Sequence, residues 1–429
     1  MKLLIENVNT LTMNDENMFR ENISVGVEEN SIVFVGEKPK DFVADKTIDG
    51  KGKLLMPGLV NAHTHMPMTL FRNYADDLPF HEWLFERVMP IEEQLDSESV
   101  YWGTLLALIE SIKSGVTCFN DMYFFLEDMI KACSKVGIRS VLGRGLSGDK
   151  DSDTSKEDEV REIYKKYNNA ENGRITFFVA PHAPYTCDDE YLKRSKKLAD
   201  ELNVGLHIHL SESKREVDES IEQFGMTPIK RVAELGLLDG HVVAAHCVHV
   251  TEEDLDIMKE KNVHVLHNPG SNMKLANGFA PVKEMLDKGI NVALGTDGAA
   301  SNNNLNMFEE INYAGLLHKA THQDPLAVST IEALKMATIN GAKALNLKDV
   351  GMIKEGYKAD MILLDIEKPH FYPRNRLISS LVYSAQASDV ETVICDGRIL
   401  MENHKISFAD EMEVLIETEK QLKRLVSQM

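Results

Sequence analysis

Apolar and polar positions alternate in short runs at both ends of the chain and follow a longer, mixed pattern between them. Segments 2–8, 23–28 and 31–36 read as strands separated by turn residues. The same style returns late, with a strand over 360–366 and a run over 391–400 holding an Asp396-Gly397 turn between apolar residues. That dipeptide is a hairpin signal. Two strand-rich ends around a different middle predict one small β-sandwich built from both termini. A last amphipathic segment, 409–427, reads as a helix on the outside.

The middle alternates strand and helix. Candidate strands are LLMPGLVNAH from Leu54, VTCF from Val116, IRSVLG from Ile138, ITFFVAP from Ile175, VGLHIHL from Val204, VVAAH from Val242, VHVLHNP from Val263 and NVALGTD from Asn291. Helical segments such as 99–113, Asp189–Leu202 and 255–261 lie between them. The polar stretch 147–165 reads as a loop followed by an exposed helix. Eight βα units in succession predict an α/β fold, a (β/α)8 TIM barrel. A doubly wound sheet competes, but its glycine-rich phosphate loop is absent from the sequence. The expected division is 1–54 and 359–429 for the sandwich, with the terminal helix in the latter, and 55–358 for the barrel.

Composition narrows the function. Across 429 residues, 43% are hydrophobic and 27% charged, the balance of a globular chain with a large core. The formal net charge of −21 argues against nucleic acid or an anionic membrane as partner. No run has the ~18 apolar residues of a membrane span, and the N-terminus turns polar by Glu6, too early for a secretory signal. Cys118, Cys133, Cys187, Cys247 and Cys395 are an odd set without CxxC spacing, so neither disulfides nor a thiolate zinc site is expected. A cytoplasmic protein with reduced thiols is the expectation.

Candidate chemistry gathers where strands end, which in such barrels is where active sites lie. Strand one ends in His63 and His65, strand two in Asn120 and Asp121, strand three in Arg144 and strand four in His182. Strand five ends in His209, with Glu212 three residues on; strand six ends in His246, strand seven in His267 and strand eight in Asp297. His63 and His65 are two apart, so both imidazoles can face one side of a strand. With His209 and Asp297 they form a His3Asp set suited to a borderline divalent ion, Zn2+ first, with Fe2+, Mn2+ and Ni2+ sharing the same ligand taste. His207 also faces inward by parity and reads as a packing or supporting histidine. Binuclear barrels of this kind often place a bridging lysine at the end of strand four; VAPHAP has His182 there, so one metal ion is expected.

A divalent ion can lower the pKa of a bound water towards ~7. Hydrolysis then needs groups that take and give protons. Glu212 suits a proton shuttle, Asp297 can bind metal with one oxygen and accept a proton with the other, and His246 can hydrogen-bond the attacking oxygen and stabilise developing charge. A bland reading exists for each: a helix-N-terminal carboxylate for Glu212, a core histidine for His246.

The run PGLVNAHTHMPMTLFRNYADDLPFHEWL, followed by HLSES, AAHCVH, HNPGSNMKLANG and GTDGAASNNNLNM, resembles the amidohydrolase superfamily. It resembles most the branch holding 5′-methylthioadenosine/S-adenosylhomocysteine deaminases and triazine hydrolases, and the likeness spans nearly the whole chain. The resemblance implies metal binding by His63, His65, His209 and Asp297, and ribose recognition by Glu92 in PIEEQL. It also implies substrate contacts from Arg144 and His182, protonation of a purine nitrogen by Glu212, attack of metal-activated water at purine C6, and loss of ammonia. A homo-oligomer, dimer or tetramer, is likewise implied. One departure stands out: many members carry a second arginine after strand three to meet a homocysteine carboxylate, whereas SGDKDSDTSKEDEV is acidic. The alternatives are a deaminase or hydrolase of guanine, cytosine or an s-triazine, and a non-catalytic barrel, which should have lost ligands. The HxE…PCxxC pattern of the zinc nucleobase deaminases is absent from the sequence.

Overall fold

The computed structural model describes residues 1–428. Its middle is a run of parallel strands, each followed by helix. Leu59–His65, Val116–Tyr123 and Arg139–Leu146 pair side by side. Arg139–Leu146 then pairs with the short pieces Ile175–Phe177 and Ala180–Pro181. Leu206–Leu210, Val242–His246, His264–His267 and Asn291–Leu294 form a second parallel group. A bridge between Val179 and Leu206 links the groups on one side. On the other, Asp297–Gly298 pairs with Thr64 and His65. All strands point the same way, so their C-terminal ends share one side of the molecule.

The strands are buried on both faces, as parallel strands under helices must be; every residue of Val116–Tyr123 is buried. Helices start where the sequence supplies caps. Asp96 caps Ser97–Lys113 in a capping box, Asp188 caps Asp189–Leu202, and Thr251 caps Glu252–Glu260. The terminal helix, Glu411–Val426, lies against Ser97–Lys113. The acidic loop after the third strand leads into the helix Ser155–Tyr167.

Both chain ends enter one nine-stranded sheet. Lys2–Leu11 sits near its middle, antiparallel to Phe19–Glu28 and parallel to Lys53–Pro57, which in turn pairs antiparallel with Met361–Asp365. The expected continuous strand from Leu54 is therefore two strands. Lys53–Pro57 belongs to the terminal sheet, and the central strand starts at Leu59. Gly58 is the hinge: its N–H donates to the Asp360 carbonyl, and a Cβ there would sit 2.1 Å from Thr117 Oγ1. The predicted hairpin is present, with Cys395 opposite Arg398 across Asp396-Gly397. Gly397 has a φ of +74°, and a side chain would strike the Glu29 carbonyl.

Charge locks the terminal sheet to the central strands. Arg139, at the start of the third strand, donates to Asp360 (2.7 and 3.1 Å) and to Asp396 (3.1 Å). Arg174 donates to the other oxygen of Asp396 at 3.0 Å. All four groups are buried. Removing one member strands its partners in a medium that solvates charge poorly. Arg139→Ala is expected to lower the unfolding free energy by about 3–5 kcal/mol in a urea titration. A loss below about 1 kcal/mol, the scale of an exposed pair, would contradict this reading.

Candidate active site

The first central strand delivers His63 and His65 to its C-terminal end, and backbone acceptors hold two of the rings around them. His65 Nδ1–H donates to the Met122 carbonyl at 2.7 Å, and His209 Nδ1–H donates to the His182 carbonyl at 2.7 Å. Fixing the proton on Nδ1 leaves each Nε2 free to act as a ligand. Those two Nε2 atoms lie 3.4 Å apart. His63 Nδ1 meets His207 Nε2 at 2.9 Å, and the amide of Asn120 touches the far side of His207 at 3.2 Å. His207 thus sits one layer behind the cluster and supports it.

Asp297 completes the group. Its Oδ1 is 3.3 Å from both His63 Nε2 and His65 Nε2. His63 Nε2 is buried and makes no well-aligned hydrogen bond. One ligand atom each from His63, His65 and Asp297 falls within 4.8 Å of the others, as do those of His63, His209 and His246. Four imidazoles and a carboxylate crowd nitrogen and oxygen lone pairs into one buried point, a donor set that fits a divalent cation. The sequence placed His246 only as a hydrogen-bonding group; here its ring also packs 5.5 Å from those of His63 and His209.

Electrostatics agree with the geometry at His63 and His209, whereas His65 holds a second proton that a cation would displace. Burial pushes His63 down to about 4 and His209 well below its ordinary value, so both imidazoles are neutral at pH 7. For His65 burial acts downward too, but Asp297, Asp121 and the Met122 carbonyl raise it to about 9. For Asp297 burial acts upward, and the His63 and His65 contacts hold it well below the usual carboxylate range. Asp121 is anchored beneath by Thr64 Oγ1 and Met66 N–H, both at 2.6 Å.

The cluster opens into a cleft enclosing about 820 Å³ of space between atoms, part of it open to solvent. Glu92, His182, Glu212, His246 and Asp297 all line it, with His65 and His209. Glu212 accepts from Asn277 Nδ2 at 3.0 Å and lies 3.8 Å from His246 Nε2. Burial raises its pKa, with His246 pulling the other way. Glu92 ends the short helix Met89–Glu92, which continues the wide π-helical segment Glu82–Val88; burial raises it as well, offset in part by the Tyr123 hydroxyl. His182 has its Nδ1 2.9 Å from Thr186 Oγ1, and burial among the other imidazoles lowers it to about 3.

Two strand-end residues stand elsewhere. Arg144 does not line the cleft: it pairs with Glu159 at 3.1 Å, donates to the Gly145 carbonyl and stacks on Phe124, which does line it. His267 turns outward to His318, 3.2 Å away. The sequence reading missed the apolar wall of Met68, Phe80, Trp83, Leu84 and Met89. Its signal was present in PFHEWLFERVM, where 80, 83 and 84 share a helical face. Tyr185 and Thr186, also on the wall, follow His182 directly in HAPYT.

The amidohydrolase family's sequence profile matches residues 54–400, and the chain belongs to that family. It is 53% identical, over 99% of its length and 100% of the relative's, to a 5-methylthioadenosine/S-adenosylhomocysteine deaminase of Thermoanaerobacter pseudethanolicus. A protein of the same name from Caldanaerobacter subterraneus subsp. tengcongensis is 50% identical over 99% of both chains. Among solved structures, an adenosine deaminase from Xanthomonas campestris with bound zinc superposes with a TM-score of 0.95 at 33% identity, covering 99% of this chain and 98% of that one. The chain is a hydrolytic enzyme of this family, acting on a small molecule.

The layering of the site gives a graded expectation. His209→Ala, which removes a ligand, should weaken Zn2+ binding by at least ~100-fold, and His207→Ala, which removes only support, by ~10–100-fold. Zinc competition against a chromophoric chelator measures both; equal affinity in His209→Ala and the native protein would remove His209 from the ligand set.

Proposed function

We propose that the protein hydrolyses the exocyclic amine of 5′-substituted adenosines, releasing ammonia and the inosine analogue. The substrates are 5′-methylthioadenosine, S-adenosylhomocysteine, adenosine and 5′-deoxyadenosine. The observation that carries this reading is the placement of Glu92 in the same cleft as Glu212 and the imidazole cluster. A carboxylate there can accept hydrogen bonds from both hydroxyls of a ribose, which a free base or a triazine lacks. The names of the relatives point the same way.

In this reading His63, His65, His209 and Asp297 hold one divalent cation, Zn2+ foremost as in the Xanthomonas neighbour, with Fe2+, Mn2+ or Ni2+ chemically able to replace it. The bound cation supplies an acidified water as nucleophile at neutral pH. Glu212, whose carboxyl burial pushes up, donates a proton to the purine ring nitrogen beside C6 and makes that carbon electrophilic. Asp297 takes the proton of the attacking oxygen on Oδ1, the oxygen that the serine hydroxyls leave free, and returns one to the amino group. His246 hydrogen-bonds the oxygen as a tetrahedral centre forms; its Nδ1 is 2.9 Å from the Asn272 amide oxygen, which leaves Nε2 facing the cleft. The C6–N bond breaks as ammonia leaves, the ring nitrogen keeps the proton from Glu212, and the second proton of the attacking water restores Glu212. His182 packs against one side of the ring.

We read the central strands as one closed (β/α)8 barrel spanning 59–358, the boundary moved from 54/55 because Lys53–Pro57 belongs to the terminal sheet. The bridge at Val179 and the pairing of Asp297 with Thr64 support closure. Segments 1–57 and 359–428 form a terminal β unit, a sandwich in this reading. Five buried free cysteines suit a cytoplasmic setting, and no helix among the described residues is long and apolar enough to cross a membrane. A homo-oligomer, dimer or tetramer, completes the proposal.

A side-by-side assay of the zinc-loaded enzyme tests the substrate. The panel is adenosine, 5′-deoxyadenosine, 5′-methylthioadenosine, S-adenosylhomocysteine, guanine and cytosine, followed by ammonia release. Glu92→Ala should raise KM for every nucleoside at least ~10-fold, the loss of hydrogen bonds to a charged acceptor, with zinc still bound. Unchanged KM values, or turnover of free bases alone, would overturn the nucleoside reading. The wall supports a ranking as well. No Lys or Arg is among the described residues lining the cleft, and Arg144 is held by Glu159. The 5′-methylthio compound is expected to exceed S-adenosylhomocysteine in kcat/KM by about 10-fold, one unmatched carboxylate contact. Equal values would contradict that ranking.

A further inference from the structure

Asp297 has two oxygens with different surroundings. Oδ1 faces the imidazoles, 3.3 Å from His63 Nε2 and His65 Nε2. Oδ2 faces away and receives two hydroxyl groups: Ser271 Oγ at 2.7 Å and Ser301 Oγ at 2.8 Å. Asp297 itself stands on left-handed backbone, with a φ of +60°. The strand pairing of Asp297 with Thr64 fixes its backbone but not its side chain, and rotation about Cβ–Cγ would exchange the two oxygens.

The two serines come from different segments. Ser271 is on the helix Pro269–Lys274 after the seventh strand, and Ser301 on Ala299–Asn302 after the eighth. A single buried carboxylate ties these segments together. Glu310, on the helix Met307–His322, accepts from Gly270 N–H at 3.0 Å with one oxygen and from Asn302 Nδ2 at 2.8 Å with the other. Gly270 and Asn302 are each the immediate neighbour of a serine. Ser271, Ser301 and Glu310 are all buried, so water does not compete for these contacts.

We propose that Ser271 and Ser301 are positioning residues that clamp Oδ2 of Asp297 and thereby commit Oδ1 to the cation, with Glu310 as the crossbar that keeps the two serines on one oxygen. The inference rests on the reading of Asp297 as a metal ligand. Because Ser271 and Ser301 act on the same atom from opposite segments, each alone leaves a weaker pivot and neither leaves a defined orientation.

The test uses the zinc-loaded enzyme and three variants, Ser271→Ala, Ser301→Ala and the double substitution, with Ser301→Thr keeping the hydroxyl. Zinc release to a chelator is followed without substrate, and kcat and KM are measured separately with 5′-methylthioadenosine. The single variants are expected to release zinc and lose kcat by about 10-fold, and the double variant by about 100-fold. KM should stay within about threefold, because Ser271 lies outside the cleft wall and Ser301, which lines it, loses only a hydroxyl turned to Asp297. Ser301→Thr should retain native zinc release. Native zinc release in the double variant would overturn the clamp, as would a Ser301→Thr variant that loses zinc as fast as Ser301→Ala. A native enzyme that deaminates no adenosine would overturn the substrate reading alone, leaving the clamp to the zinc measurement. A native protein that holds no zinc would overturn both.

Discussion

The site depends on where the histidine protons are held. Met122 and His182 offer main-chain carbonyls to the Nδ1 atoms of His65 and His209, and both carbonyls belong to the ends of neighbouring strands. The backbone of the strand ends therefore decides the tautomer, and with it the direction in which each Nε2 lone pair points. Buried lone pairs facing one another at 3.4 Å repel unless something positive lies among them. Asp297 Oδ1 adds a negative atom to the same point. The architecture concentrates electron density at one largely buried point at the base of the cleft, which is the physical meaning of a metal site.

Around that point the same burial has opposite consequences for different groups. It removes protons from imidazoles and keeps them on isolated carboxyls. His63, His182 and His209 are neutral for that reason, whereas Glu212 and Glu92 are pushed toward the protonated form. Asp297 and His65 escape together, because each favours the charged form of the other. One cleft thus holds a carboxyl group pushed up, Glu212, beside one pushed well down, Asp297. That pairing is what hydrolytic removal of an amine requires.

Much of this was legible in the chain because parallel strands advertise their ends. An apolar run that stops at a histidine or aspartate marks a strand tip, and eight such tips placed His63, His65, His182, His209, His246 and Asp297 near one another before any coordinates. Other features were hidden by the physics of close approach. Gly58 looked like the interior of one strand, and only the crowding of Thr117 against it reveals the break. Arg144 sits at a strand tip yet turns to Glu159, since a salt bridge 15 residues along the chain outcompetes the cleft. Ser271 and Ser301 are ordinary polar residues in sequence, and their meaning comes from sharing one carboxylate oxygen across 30 residues of chain. Glu92 was indistinguishable from an exposed helical glutamate until family resemblance singled it out.

The central claim, that one cation held by this cluster drives deamination, is tested most directly by stripping the protein of metal and titrating Zn2+ back in. Ammonia release from 5′-methylthioadenosine is the readout. The account predicts that the stripped protein is inactive and that activity rises linearly and stops at one equivalent of zinc per chain. Full activity in the stripped protein, or a rise that continues to two equivalents, would contradict it.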